Sequence, residues 1–118
     1  MHIDTQVEAC NSSWLGCQSI LALEVLQSPS PQRPASYSHH SWHQDIGPDE
    51  LSTRKISITV QLSDNSEYEG GDLKFWLGGK NLEDNSLFAQ RGKGTVILFP
   101  SYLYHAVTPV TKGIRKSF

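Results

Sequence analysis

Cysteine is scarce in this 118-residue sequence, which holds only Cys10 and Cys17. Two cysteines seven positions apart make no disulfide framework. They also lack the close CxxC pairs of a structural zinc site, so two buried thiols is the plain reading. Positive charge is in no excess: ten Lys and Arg stand against twelve Asp and Glu, a net charge of −2. That balance disfavours avid binding to nucleic acid or to an anionic membrane surface. Long apolar runs are missing too. Stretches such as Ile20 to Leu23 and Thr95 to Phe99 fall far short of the ~20 residues of a membrane span. No basic segment followed by an apolar one opens the chain, so no secretion leader is read, and a cytoplasmic location is expected. Without such a leader the Asn11-Ser12-Ser13 sequon means little. Apolar residues are 37% of the chain, toward the low end for a globular protein once glycine is added. The length is that of one domain, 1–118.

Ile3, Val7, Cys10, Trp14, Cys17 and Leu21 recur at steps of four and three, the pattern of an amphipathic helix. Asn11, Ser12, Ser13 and Gly16 weaken it, and a short N-terminal helix is predicted over about residues 3–11. Residues 20–27 fit strand or helix. Pro29, Pro31 and Pro34 exclude regular structure over 28–35, which reads as a loop. From residue 36 onward the texture is that of short strands separated by turns. Ile56, Ile58, Val60 and Leu62 alternate with Ser57, Thr59 and Gln61. Gly70-Gly71 reads as a turn or bulge with positive φ entering a strand from Leu73 to Leu77. Further strands are predicted at 95–99, 102–108 and 114–118, with a turn over 109–113. The chain ends inside a strand, as a fragment would. Strands in this rhythm point to an antiparallel sandwich or barrel over 36–118.

His43-Gln44-Asp45 offers an imidazole and a carboxylate at i and i+2, on one face of a strand. Taken alone this is an ordinary polar strand end. His105 lies among aromatic and apolar neighbours, where a hydrogen-bonded core histidine is the plain reading. Arg115 follows ten residues later. If 109–113 closes a hairpin, residues whose numbers sum to about 221 face each other, which sets His105 beside Arg115. Two histidines and one carboxylate are the facial triad of non-haem Fe(II) oxygenases. An arginine nearby grips a further carboxylate in two-point fashion.

These residues sit in longer motifs: Trp42-His43-Gln44-Asp45-Ile46-Gly47, Arg54 to Ser63, Tyr68-Glu69-Gly70-Gly71-Asp72-Leu73, Gly94 to Pro100, His105-Ala106-Val107-Thr108-Pro109-Val110 and Gly113-Ile114-Arg115-Lys116-Ser117. In that combination residues 42–118 resemble the 2-oxoglutarate- and Fe(II)-dependent dioxygenases, in their prolyl-4-hydroxylase-like branch. The resemblance implies a mainly β protein, a double-stranded β-helix or jelly-roll. It implies that His43, Asp45 and His105 hold Fe(II). Arg115 would bind the distal carboxylate of 2-oxoglutarate with Ser117 in support, and Tyr37 is the candidate for a tyrosine that helps to hold the co-substrate. O2 is the oxidant, and ascorbate a candidate further cofactor. The implied reaction hydroxylates an unactivated C–H bond, with succinate and CO2 released. A prolyl or other amino-acid residue of a peptide, or a small molecule, is the substrate expected.

Three other readings compete. A binding module with the same strands and no turnover is one. An alkylation-repair dioxygenase acting on nucleic acid is another, disfavoured by charge. A cupin usually brings HxH, which is absent here. Ile58, Val60, Phe75 and Leu98 are candidate apolar walls for the site. Trp42 and Trp76 suit a substrate mouth or plain packing, and His39 is a candidate extra ligand or a solvated loop residue.

Overall fold

Turn-forming residues cut the chain into short extended segments, and nearly every segment becomes a strand. The computed structural model describes residues 7–12, 17–33 and 35–118, with backbone alone at 7–12, 17–22 and 50. In chain order the strands are β1 (Val7–Ser12), β2 (Cys17–Ala22), β3 (Glu24–Gln27), β4 (His40–His43), β5 (Ile56–Val60), β6 (Tyr68–Gly70), β7 (Leu73–Trp76), β8 (Ser86–Phe88), β9 (Val96–Pro100), β10 (His105–Val107) and β11 (Val110–Ser117). Short 3-10 segments lie at Ala35–Tyr37, Asp49–Thr53 and Asn65–Glu67. Among the described residues no helix is long and apolar enough to cross a membrane.

The predicted N-terminal helix is not what forms. Residues 7–12 are a strand, paired antiparallel with 17–22 so that Val7 faces Ala22 and Ser12 faces Cys17. The helical spacing does not carry over: Val7 and Cys10, three apart, share a face of a helix but point to opposite faces of a strand. Asn11 and Ser12 are also poor helix formers. Residues 3–6 of that predicted helix, and the side chains of Cys10 and Cys17, lie outside the described residues.

One sheet has the order β4-β10-β7-β8. The other is built around β11, which pairs antiparallel with β3 and with β6. Reciprocal backbone bonds between Val60 and Phe118 (2.8 and 3.0 Å) join the antiparallel β5-β9 pair to the end of β11. The core cluster draws on both sheets: Leu26, Phe99 and Val110 from one, Leu73, Phe75 and Val107 from the other, with Tyr68. Facing antiparallel sheets with the chain passing repeatedly between them form the jelly-roll that was expected.

Two local expectations change. β10 and β11 are not a hairpin; they belong to different sheets, so cross-strand pairing is not what relates His105 to Arg115. Thr108 and Pro109 carry the chain between the layers, and Gly113 is no turn residue. It lies within β11 at φ +77°, where a Cβ would come within 2.0 Å of the Glu67 carbonyl oxygen. It pairs with Tyr68, and the irregularity of this ladder lies just before it, between Val110 and Lys112.

The second change concerns β5. Its apolar face points outward: Ile56 is 70% exposed and Ile58 52%, and across the ladder Leu98 is 66% exposed. Ser57 and Phe99 share the inward face. Ile58 and Leu98, with Val60 on the same face, are therefore not walls of the site; of the four candidates only Phe75 is buried. Alternation tells which residues share a face but not which face meets the core, and here the polar face turns in because it has polar partners there.

Candidate metal centre

Pairing between β10 and β4 sets His105 directly opposite His43. Past the end of β4 the chain bends, and the Asp45 N–H donates to the Ser101 carbonyl (2.9 Å). This returns the Asp45 carboxylate to the two imidazoles. Its Oδ1 lies 3.7 Å from His43 Nε2 and 3.4 Å from His105 Nε2. One donor atom from each residue falls within 4.8 Å of the others.

The surroundings aim these atoms. His43 Nδ1 is 2.7 Å from the Ser41 carbonyl and His105 Nδ1 is 2.9 Å from that of Leu103. A carbonyl only accepts, so each Nδ1 carries the proton and each Nε2 lone pair is free when the ring is neutral. Ser57 Oγ donates to Asp45 Oδ2 (2.5 Å) and lies 3.0 Å from the buried Ser101 Oγ. That leaves Oδ1 as the free oxygen. Phe99 packs against the His105 ring at 4.8 Å and Phe75 at 6.2 Å. Burial pushes the Asp45 carboxyl up, but its contacts with His105 and Ser57 prevail and hold it down at about 2. Burial pushes His105 down, yet the Asp45 carboxylate and the Leu103 carbonyl raise it above its ordinary value. Two imidazole nitrogens and one carboxylate oxygen, oriented from behind, suit a divalent first-row metal such as Fe(II).

Arg115 stands apart from these three, 2% exposed. Its Nη1 donates to Ser117 Oγ (3.2 Å), two residues along the same strand face. Gly71 makes room for it, since a Cβ there would stand 3.1 Å from Arg115 Cδ and 2.9 Å from Val110. Gly70 and Gly71 have φ of +72° and +64°, as predicted. Glu24 lies opposite Ser117 across the β3-β11 ladder, and its Oε1 is 3.5 Å from Arg115 Nη1. The same oxygen is 3.0 Å from His40 Nε2. This is proximity of charge more than a well-aligned hydrogen bond, for His40 Nε2 has no such bond. Burial pushes Glu24 up, but His40 and Arg115 bring it below its ordinary value. Glu24 in turn raises His40.

Of the residues singled out in the sequence, His43, Asp45 and His105 come together, as do Arg115 and Ser117. Tyr37 is not joined to the Arg115 group by any hydrogen bond; it sits on a 3-10 segment and is 36% exposed. His39 Nδ1 faces the Ala35 carbonyl (3.1 Å). Trp42 and Trp76 neighbour His43 and Phe75 along β4 and β7, so they lie on the opposite face of the sheet from His43 and His105. Trp42 donates to Glu83 (2.7 Å) and Trp76 to the Asn81 carbonyl (3.1 Å). Ser57, Ser101, His40 and Glu24 were missed. Only Ser57 left a sequence signal, as a polar residue on the regular β5 alternation.

Residues 33–118 match the profile of the 2OG-Fe(II) oxygenase superfamily. A PKHD-type hydroxylase of Synechococcus sp. (strain CC9605) is 36% identical over 83 residues, covering 70% of this chain and 36% of that protein. One from Azoarcus sp. (strain BH72) is 33% identical over 116 residues, covering 91% of this chain and 47% of that protein. The crystal structure of a Pseudomonas putida prolyl-4-hydroxylase superposes with a TM-score of 0.58 at 19% identity, covering 80% of this chain and 46% of that one. That likeness bears on the fold. The chain spans less than half the length of the curated relatives it matches.

Proposed function

The chain belongs to the 2OG-Fe(II) oxygenase superfamily, and from that premise we propose that it is a dioxygenase that hydroxylates an unactivated C–H bond of a prolyl or other amino-acid residue in a peptide. The family implies Fe(II) and 2-oxoglutarate. O2 as oxidant and ascorbate as reductant complete the proposed set. The observation that carries the reading is the convergence of His43, Asp45 and His105, far apart in sequence, with donor atoms within 4.8 Å of one another.

His43 Nε2, Asp45 Oδ1 and His105 Nε2 would hold the metal. When bound, Fe(II) and 2-oxoglutarate supply the oxidising power, the diacid being decarboxylated to succinate and CO2 as the substrate is hydroxylated. The protein's own work is orientation. Carbonyls of Ser41 and Leu103 keep the imidazole protons on Nδ1. Ser57 occupies Asp45 Oδ2, so the carboxylate offers one oxygen. Arg115 presents a buried guanidinium to the distal carboxylate, and Ser117 supports it. Phe75 and Phe99 cover the flank of His105 against water. The name of the PKHD-type relatives supports a hydroxylation, and that of the prolyl-4-hydroxylase a prolyl substrate.

The test is uncoupled and peptide-stimulated 2-oxoglutarate decarboxylation, with a panel of proline-containing and other peptides. Succinate release that needs Fe(II) and is lost in His43→Ala is expected. Arg115→Ala should raise the half-saturating 2-oxoglutarate concentration about ten- to a hundred-fold, the worth of a lost charged hydrogen bond, while sparing metal binding. Ferrous binding with no succinate from any peptide would instead mark a binding module.

A further inference from the structure

We propose that Glu24 is a built-in competitor for the co-substrate: its carboxylate rests against the Arg115 guanidinium and gives way to the distal carboxylate of 2-oxoglutarate. The inference rests on the role proposed for Arg115 and adds a residue that sets co-substrate affinity.

A cation as buried as Arg115 is costly without a counter-charge. Ser117 is neutral. Among the described residues Glu24 supplies the one carboxylate within 4 Å of the guanidinium. Strand pairing puts it there: Glu24 faces Ser117 and Leu26 faces Arg115, so Glu24 projects on the same side of the sheet as Arg115. The contact is incomplete. One oxygen approaches one nitrogen at 3.5 Å, and Arg115 Nε is buried with no partner. A freely diffusing carboxylate can engage such a fork at two points. Two carboxylates at one guanidinium repel, so the ligand gains its place only as Glu24 withdraws. His40 gives the withdrawn carboxylate somewhere to go, for its Nε2 is already 3.0 Å from the same oxygen. Arg115 and His40 thus share Glu24 when no diacid is bound. With the diacid bound, Arg115 has a carboxylate of its own and Glu24 keeps His40.

The test is calorimetric titration of 2-oxoglutarate into the Fe(II)-loaded chain without oxygen, with melting temperatures recorded for each variant. Glu24→Gln keeps the shape and removes the competing charge, and it should tighten binding about two- to five-fold, the worth of a partly exposed ion pair. His40→Gln removes the alternative partner, and it should weaken binding by a similar factor. In the double variant the His40 effect should vanish, which a merely structural role for Glu24 would not produce. Unchanged or weaker binding in a stable Glu24→Gln chain would overturn the inference and leave the dioxygenase reading intact. Unchanged or tighter binding in His40→Gln would overturn it too. Binding by neither the wild type nor Glu24→Gln would overturn both.

Discussion

Asp45 shows how much of the site rests on groups behind the ligands. Its backbone N–H is held by Ser101, its Oδ2 by Ser57, and its Oδ1 faces two imidazoles. Ser57→Ala should weaken divalent-metal binding about ten- to a hundred-fold while His43 and His105 stay in place; a metal titration followed by tryptophan fluorescence checks this. Protons compete with the metal at His105 Nε2. Because the Asp45 carboxylate raises His105 above its ordinary 6.5, metal affinity should climb as pH rises through that raised value and then level off. For the metal-free chain the sign reverses. The imidazolium–carboxylate pair stabilises the fold below pH 6.5 and is lost as pH rises through the folded-state value. Melting temperature against pH, with and without metal, separates the two. At this scale the candidate ligands were legible through a resemblance, because His-x-Asp and His105 stand in a combination of longer motifs that includes Gly70-Gly71, Phe99-Pro100 and Arg115 ten residues after the histidine. Glu24 was not, since its meaning comes from facing Ser117 across a ladder between segments about ninety residues apart.

Among the elements, β5 carries the clearest lesson. Its alternation was visible in the sequence, yet the outward side is the apolar one. The expected consequence is an inversion of the usual mutational pattern. Ile58→Lys and Leu98→Lys should cost little folding stability, both side chains being more than half exposed. Phe75→Ala and Phe99→Ala, which empty the cluster beside His105, should each cost about 3–5 kcal/mol. Urea titrations of the four variants check the order, and equal losses would place the core on the wrong side of β5. Strands β7, β9 and the later half of β11 could be read from apolar runs and from glycine and proline punctuation, whereas β6 and the start of β11 could not. β1 differs from the helix expected because Val7 and Cys10 at a helical step are outweighed by Asn11 and Ser12, which disfavour a helix. The supposed hairpin after His105 failed because Pro109 leads to another sheet instead of folding the chain back on itself.

Across the whole molecule, two sheets supply what neither has alone. The β4-β10 pair and the bend at Asp45 bring His43, Asp45 and His105 together, and β11 carries the buried guanidinium on the other layer. The jelly-roll was legible as a rhythm of short strands, but its closure through Val60 and Phe118 depends on pairings between segments too distant for any local pattern to announce. What unites the reading is that one ferrous ion binds to His43, Asp45 and His105 together. The direct check is the visible charge-transfer band formed when Fe(II) and 2-oxoglutarate are added without oxygen. The wild-type chain should give a weak band that saturates at one iron per chain, and His43→Ala and His105→Ala should each abolish it. A band of unchanged intensity in both variants would show that the iron binds elsewhere.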